Sequence, residues 1–403
     1  MKVLVAMSGG VDSTIAAYLL QKKGNEVVGV NFNFVGANDC GALNCDPTLD
    51  EIAKKLNIKI IYRDFRKEFY DKVITMFVRD YESGITPNPC ALCNGIMKFE
   101  KLLQVMKEEN CDMIATGHYA NVVTVGTSYA NPAVRYCIKK SKNEQKDQSY
   151  MLYRLTQEQL SHIIFPIGDM DKNEVRRFAA ELGLSVANKK DSQDVCFIKD
   201  ISYKEFIKRF EFGDDYKEKI ARGELKETDI SSLPYFRRGE FVDIDGKVLG
   251  FHEGIINYTI GQRRGINIAF GERKFVVKID AKNNQVVLGD NIDLLSSEFQ
   301  IYDIVYSGMI EDELKKGNKR LFAKLRYRHD GTESTMVVEN VNNIGANINT
   351  IGANAGGAHT CMGELREPTI CAKLASPVRA ITRGQSAVFY DENDCIMFGG
   401  RIL

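Results

Sequence analysis

No excess of either charge marks this chain: 54 lysines and arginines face 54 aspartates and glutamates across 403 residues. Net charge therefore gives no sign of a polyanionic partner, which would need a local basic surface. No apolar run approaches the length of a membrane span, and no signal peptide precedes Met1-Lys2. The expected setting is cytoplasmic, with no membrane partner. Histidine is scarce, and His162, His252, His329 and His359 fall in no recognisable ligand spacing. Cysteine is not scarce. Ten cysteines in a chain whose thiols stay reduced argue for thiol or metal chemistry. Hydrophobic content of 44% and charged content of 27% are ordinary for a globular protein, and the length suffices for two or three domains with real cores.

The most informative stretch is Val3–Ser13. A β-branched apolar run leads into Ser8-Gly9-Gly10-Val11-Asp12-Ser13, and an amphipathic helix pattern follows through Ile15, Ala16, Leu19 and Leu20 to Gly24. Strand, glycine turn and helix together make a phosphate site. Glycines let the backbone turn sharply and approach an anion, and helix-start N–H groups face it. No Gly-Lys-Ser/Thr follows, so this is not a Walker loop.

Strand and helix signals alternate through the first half. Val27–Val30, Ile58–Tyr62 and Met113–Ala115 read as strands, and Pro47–Leu56, Lys67–Tyr81 and Met97–Glu109 as helices. The alternation predicts an α/β fold, a doubly wound parallel sheet over residues 1–205 with ligands beyond the strands' carboxyl ends. Asp171-x-x-Glu174 and Ser202-x-x-Glu205 read as helix caps. Residues 206–296 read as a small mixed α/β middle domain, with strands near Phe275–Ile279 and Val286–Leu288. Residues 297–403 read as a C-terminal β-barrel carrying an inserted Asn/Gly-rich loop near 340–360.

Cysteines stand in suggestive places. Pro87 and Pro89 hold an extended loop before Cys90-x-x-Cys93. A helix beginning around Asn94 would lower the Cys93 pKa. The pair alone could be a redox couple, half of a zinc site or inert. Cys196 lies where a polar run turns apolar, the pattern of a chain entering a core. Cys40 and Cys45 lack a clear third and fourth ligand and read as structural or incidental, with metal binding the lesser alternative. Cys111, Cys137, Cys361, Cys371 and Cys395 read as packing residues. In Arg320–His329, strand alternation would put Arg320, Lys324, Arg326 and Arg328 on one basic face and Leu321, Ala323, Leu325 and Tyr327 on the other.

Taken in order, Ser8–Ser13, Thr86–Asn94, Ala115–Ala120, Lys146–Tyr150, Asp191–Ile198, Gly261–Gly265, Arg326–Arg328 and Pro377–Ala380 resemble the motifs of the tRNA-specific 2-thiouridylase family of PP-loop ATP pyrophosphatases. The resemblance covers nearly the whole chain. It implies a tRNA-uridine 2-sulfurtransferase that adenylates the C2 oxygen of the wobble uridine, releases pyrophosphate, and replaces AMP with sulfur. ATP and Mg²⁺ are the implied cofactors. The implied partners are tRNA and a sulfur donor, either a persulfide carrier protein, a cysteine desulfurase or inorganic sulfide. By matching motifs, Cys93 is the nucleophile and Cys196 the persulfide carrier. Ala6, Met7, Ser8, Gly9, Gly10, Val11, Asp12, Ser13, Phe32 and Gly117 would contact ATP. Asn88, Cys90, His118, Lys146, Asp147, Gln148, Arg326, Tyr327 and Gln385 would face tRNA.

The chain departs from the family pattern at Cys90, where aspartate is usual. The change completes a set of three thiols, Cys90, Cys93 and Cys196, that could ligate a [4Fe–4S] cluster with one iron open to sulfide. That arrangement is favoured over a simple persulfide relay because the third ligand stands where it is needed. Two rival readings are another adenylating ligase of the same superfamily and a non-catalytic, cluster-bearing RNA-binding protein. Pyrophosphate release dependent on tRNA separates them.

Overall fold

The computed structural model describes residues 1–35, 47–125, 134–185, 195–198, 200–266, 273–316, 320–339 and 369–403. Cys40, Cys45, Cys361 and the 340–360 insertion lie outside these residues.

A five-stranded parallel sheet has the order β3-β2-β1-β4-β7. Its strands are β1 (Lys2–Ala6), β2 (Glu26–Asn33), β3 (Lys59–Asp64), β4 (Met113–Ala115) and β7 (Ile163–Ile164). Side chains alternate across a strand. Accordingly, Leu4 and Ile114 join one hydrophobic core, while Val3, Val5 and Ala115 join a second on the opposite face. Both faces are covered by helices, as the alternating pattern predicts. Chain order runs outward from β1 on one side and resumes at β4 on the other, so the switch point falls between β1 and β4.

Four helices of this unit matter to the site. Helix α1 is Val11–Lys22 and α2 is Pro47–Leu56. Helix α3 joins Arg66–Phe69, a π-turn at Tyr70–Ile74 and Thr75–Glu82. Helix α4 joins Pro89–Cys93, a π-turn at Asn94–Lys98 and Phe99–Glu108. The sequence pattern placed the start of α4 near residue 94, because periodicity is lost across the wide turn. The true start is at the proline, where the missing N–H costs nothing and Asn88 accepts from the Ala91 N–H. The hairpin β5 (Ala120–Val125) and β6 (Arg135–Lys140) was not legible in the sequence. The Asp171 capping box and the Ser202 cap form as expected.

Beyond the sheet, β8 (Gly239–Val242), β9 (Val248–His252), β10 (Phe275–Asp280) and β11 (Gln285–Gly289) make a four-stranded sheet. Six strands then close a barrel in the order β12-β15-β14-β13-β16-β17. These are β12 (Leu295–Tyr306), β13 (Leu321–Lys324), β14 (Thr332–Glu339), β15 (Thr369–Arg379), β16 (Ser386–Tyr390) and β17 (Ile396–Ile402). Partly buried ion pairs dock the barrel on the parallel-sheet unit. Arg401 meets Asp80 at 2.6 Å, and Arg154 meets Asp303 at 2.7 Å. No helix among the described residues is long and apolar enough to cross a membrane.

Candidate active site

The glycine loop leaves β1 and turns into α1 at the switch point. Gly9 has a φ of +67°, a left-handed conformation open to glycine. Gly10 is the N-cap, and no side chain caps the helix start, so its N–H groups remain available to an anion. Ser13 fixes the loop by donating to the Gly10 carbonyl at 3.1 Å and accepting from the Ser8 N–H at 3.3 Å. Gly117, after β4, lies against this loop. A Cβ there would come within 2.6 Å of the Asp12 carbonyl carbon and the Ser13 nitrogen. Phe32, at the end of β2, packs edge-on against Phe65 and Phe34.

Sequence reasoning missed two partners of the loop. The buried Lys172 ammonium lies 2.8 Å from both Asp12 oxygens, and the Tyr119 hydroxyl donates to Asp12 at 2.7 Å. Lys172 is the first residue after the Asp171 cap, which was the one available signal.

The thiols converge on the same cleft. Cys196 is exposed, while Phe197 is buried against Phe69, Phe77 and Phe206, so the chain enters the core there as expected. Cys196 is close enough to raise the pKa of both Cys90 and Cys93, and Cys90 that of Cys93. The expected activation of Cys93 by a helix N-terminus does not occur. Cys93 is the last residue of the Pro89–Cys93 turn and is half-buried. Burial, above all, pushes its thiol up to about 12, against the pull of the Lys98 charge. Among the described residues no group of three or more His, Cys, Asp or Glu side chains is placed to hold a metal ion. The structure thus shows no preformed ligand set among the described residues for the cluster the sequence favoured, and no step is derived through one.

Lys98 is a further residue the sequence did not single out. Its ammonium is 3.3 Å from His118 Nε2, and His118 Nδ1 is 2.6 Å from the Thr116 hydroxyl. An ammonium can only donate, so Nε2 accepts and Nδ1 carries the proton toward Thr116. Burial and the Lys98 charge hold His118 well below its usual pKa, leaving a neutral ring between Phe99 and Phe165.

Several residues assigned to tRNA turn inward. The Asp147 carboxylate is buried and accepts from Ser141 N, Ser149 N and the Ser149 hydroxyl. Asn88 caps α4 and donates to the Ser386 hydroxyl at 3.1 Å. Gln385 donates to the Thr86 and Pro87 carbonyls at 3.2 and 3.0 Å, clamping the thiol loop to the barrel. Gln148 exchanges hydrogen bonds with the Tyr119 backbone, and Lys146 lies in the same loop, half-buried. These positions hold the site's loops together.

The predicted strand Arg320–His329 ends at Lys324. Arg326, Tyr327 and Arg328 occupy an exposed turn, so Tyr327 faces outward with the arginines. Arg320 is paired with Glu333 at 2.7 Å, and Lys324 leans toward Asp147 at 3.9 Å. The basic face is thus reduced to the turn. Arg326 borders a cleft of about 250 Å³ shared with Thr86, Thr259, Gly261, Arg379 and Gln385, where the three units meet.

Family models match three spans: a tRNA methyl transferase HUP domain over residues 1–200, a tRNA methyl transferase PRC-barrel domain over 231–290, and an aminomethyltransferase β-barrel domain over 355–402. A tRNA-specific 2-thiouridylase from Lachnoclostridium phytofermentans is 37% identical over all of this chain and 99% of its own length. One from Acetivibrio thermocellus is 38% identical over the same shares. A solved U34-tRNA thiolase from Methanococcus maripaludis, described with its [4Fe–4S] cluster, aligns at TM-score 0.31 and 20% identity over 55% of this chain and 70% of that one, a likeness too slight to carry an argument. With full-length relatives at this identity, three domain models in order, and an ATP-type phosphate loop beside paired thiols, the chain belongs to the tRNA-specific 2-thiouridylase family.

Proposed function

We propose that this protein performs ATP-dependent 2-thiolation of the wobble uridine in tRNA. The observation that carries the reading is the meeting of two chemistries in one cleft. A phosphate loop backed by Gly117 lies at the switch point, and the thiols of Cys93 and Cys196 approach from separate loops. ATP seats its phosphates on Ser8–Ser13, and Mg²⁺, when bound, offsets their charge. The uracil O2 attacks the α-phosphorus, and pyrophosphate leaves. The terminal sulfur of a Cys196 persulfide then attacks C2, and the C2–O bond breaks with its electron pair leaving on AMP. The Cys93 thiolate attacks the Cys196 sulfur and releases 2-thiouridine, leaving a Cys93–Cys196 disulfide for an external thiol to reduce.

The high Cys93 pKa suits a thiol that stays protonated until substrate arrives. The exposed turn Arg326–Arg328 supplies RNA contacts, with Arg326 at the edge of the cleft. The division 1–205, 206–296 and 297–403 assigns adenylation and thiolation to the first unit and tRNA binding to the barrel. The test is pyrophosphate release with purified tRNA. Release that needs tRNA, together with loss of thiouridine but not of pyrophosphate in Cys196→Ser, is the expected result. Release independent of tRNA would point to another adenylating ligase.

A further inference from the structure

The reaction cleft contains a cation that no carboxylate among the described residues balances. Lys98 closes the π-turn of α4, and its ammonium points to His118 rather than to an acid. Among the described residues it enters no ion pair, whereas two other shielded lysines of this unit do: Lys172 with Asp12, and Lys101 with Glu68. The titratable groups that act on Lys98 are the thiols of Cys93, Cys90 and Cys196. Burial pulls its pKa below the usual value, so the fold carries this charge at a cost.

The wide turn places Lys98 there. In a regular α-helix the residue stacked over Cys93 is Met97, four positions on; here Met97 is fully buried. The π-turn shifts the next residue back, and the Lys98 charge acts on the Cys93 thiol. Gln159 donates to the Gly95 carbonyl at 3.1 Å, and Asn94 donates to the Met151 carbonyl at 2.9 Å, so the turn is tied on both sides. Its side chain then bridges two parts of the cleft. On one side are the three thiols. On the other is His118, next in sequence to Gly117, which touches the phosphate loop. That is where an attacking sulfur and an adenylated carbon must meet. The neutral His118 ring supplies no positive charge of its own.

We propose that Lys98 is a catalytic residue of the sulfur-transfer step, its ammonium balancing the anionic sulfur and the negative charge that develops at the tetrahedral C2 before AMP departs. The proposal rests on the thiolation reading. In this step the C2–S bond forms, the C2–O bond breaks, the electron pair leaves with AMP, and Lys98 keeps its protons throughout. The counter-ion missing from the resting protein is the substrate's own charge.

Single-turnover reactions of wild type, Lys98→Met and Lys98→Arg with tRNA, ATP and a persulfide donor test this. In Lys98→Met the pyrophosphate burst and tRNA affinity should stay within about threefold of wild type, while thiouridine formation falls roughly 10²- to 10³-fold and adenylated tRNA accumulates. Lys98→Arg should recover part of the rate. Because the charge is unbalanced, Lys98→Met should melt at the same or a higher temperature than wild type. Thiolation by Lys98→Met within about threefold of wild type, or a pyrophosphate burst that falls as far as thiolation, overturns the proposal. Lower melting in Lys98→Met contradicts the unbalanced charge. Failure of the wild type to thiolate tRNA would instead overturn the functional reading itself, and the proposal with it.

Discussion

Gly117→Ala is the sharpest perturbation of the nucleotide site, since it adds one methyl group and no charge. The new Cβ would stand 2.6 Å from the Asp12 carbonyl carbon and the Ser13 nitrogen, and 2.9 Å from the Asp12 oxygen. Ordinary contact begins at 3.4 Å, so the shortfall is 3.4 − 2.6 = 0.8 Å. The obstacle is backbone on both sides: β4 is held by its pairing to β1 and β7, and α1 by its own hydrogen bonds. The loop must therefore move by most of that distance. Overpacking of this kind costs about 1–3 kcal/mol of stability. A displacement near 1 Å at a positioning element costs roughly 10²-fold in rate. Gly117→Ala should thus fold, melt several degrees lower, bind tRNA normally and lose about 10²-fold in ATP-dependent pyrophosphate release. Equilibrium tRNA binding and a pyrophosphate assay over a range of ATP concentrations read the two effects separately. A normal KM for ATP with unchanged kcat would mean that the packing of Gly117 on the loop does not position ATP.

Other perturbations address other parts of the molecule. Gln385→Ala removes two hydrogen bonds to the thiol loop, each worth about 1 kcal/mol. It should slow thiolation roughly tenfold while leaving tRNA affinity nearly intact, whereas an equal loss of affinity would make Gln385 a direct RNA contact. Arg326→Ala and Arg328→Ala should each reduce the salt slope of tRNA binding by about 0.7–0.9; unchanged slopes would mean that the exposed turn is merely solvated. Glu82 tests a pH effect at the junction of α3 with the helix Tyr203–Phe212. Burial, with help from a hydrogen bond and the charge of Glu211, pushes its carboxyl up to about 7. The folded state then binds this proton more tightly than the unfolded chain. The stability it contributes is full below the ordinary carboxylate range and is lost as pH rises toward about 7. Melting curves should show Glu82→Gln gaining on wild type as pH rises from 5 to 8, and parallel curves would refute the assignment.

Much of the first unit was legible because its signals are local. The apolar run at Val3–Ala6, the glycines after it and the periodicity of α1 all lie within some twenty residues, and the structure joins them as the pattern implies. Cys196 was placed correctly for the same reason, since a polar-to-apolar change along the chain marks entry to a core. The misses are tertiary. Periodicity cannot register a π-turn, so α4 was started five residues late and Cys93 was given the wrong electrostatic setting. Nothing near Lys172 announces that its ammonium crosses to Asp12, 160 positions away. The basic strand was overextended because alternation continues in the letters after Lys324, while the backbone there turns. Asp147, Asn88 and Gln385 read as surface recognition groups; their partners come from other segments and occupy them fully enough to make them braces of the site.

The central claim is that one cleft couples ATP cleavage to sulfur insertion in tRNA. The most direct measurement is a single-turnover reaction with tRNA, ATP, Mg²⁺ and a persulfide donor, with pyrophosphate, AMP and the digested nucleosides quantified together. The account predicts one pyrophosphate and one AMP for each 2-thiouridine formed at the wobble position, with no pyrophosphate when tRNA is omitted. Pyrophosphate release without tRNA, or thiouridine formed without ATP, would contradict it.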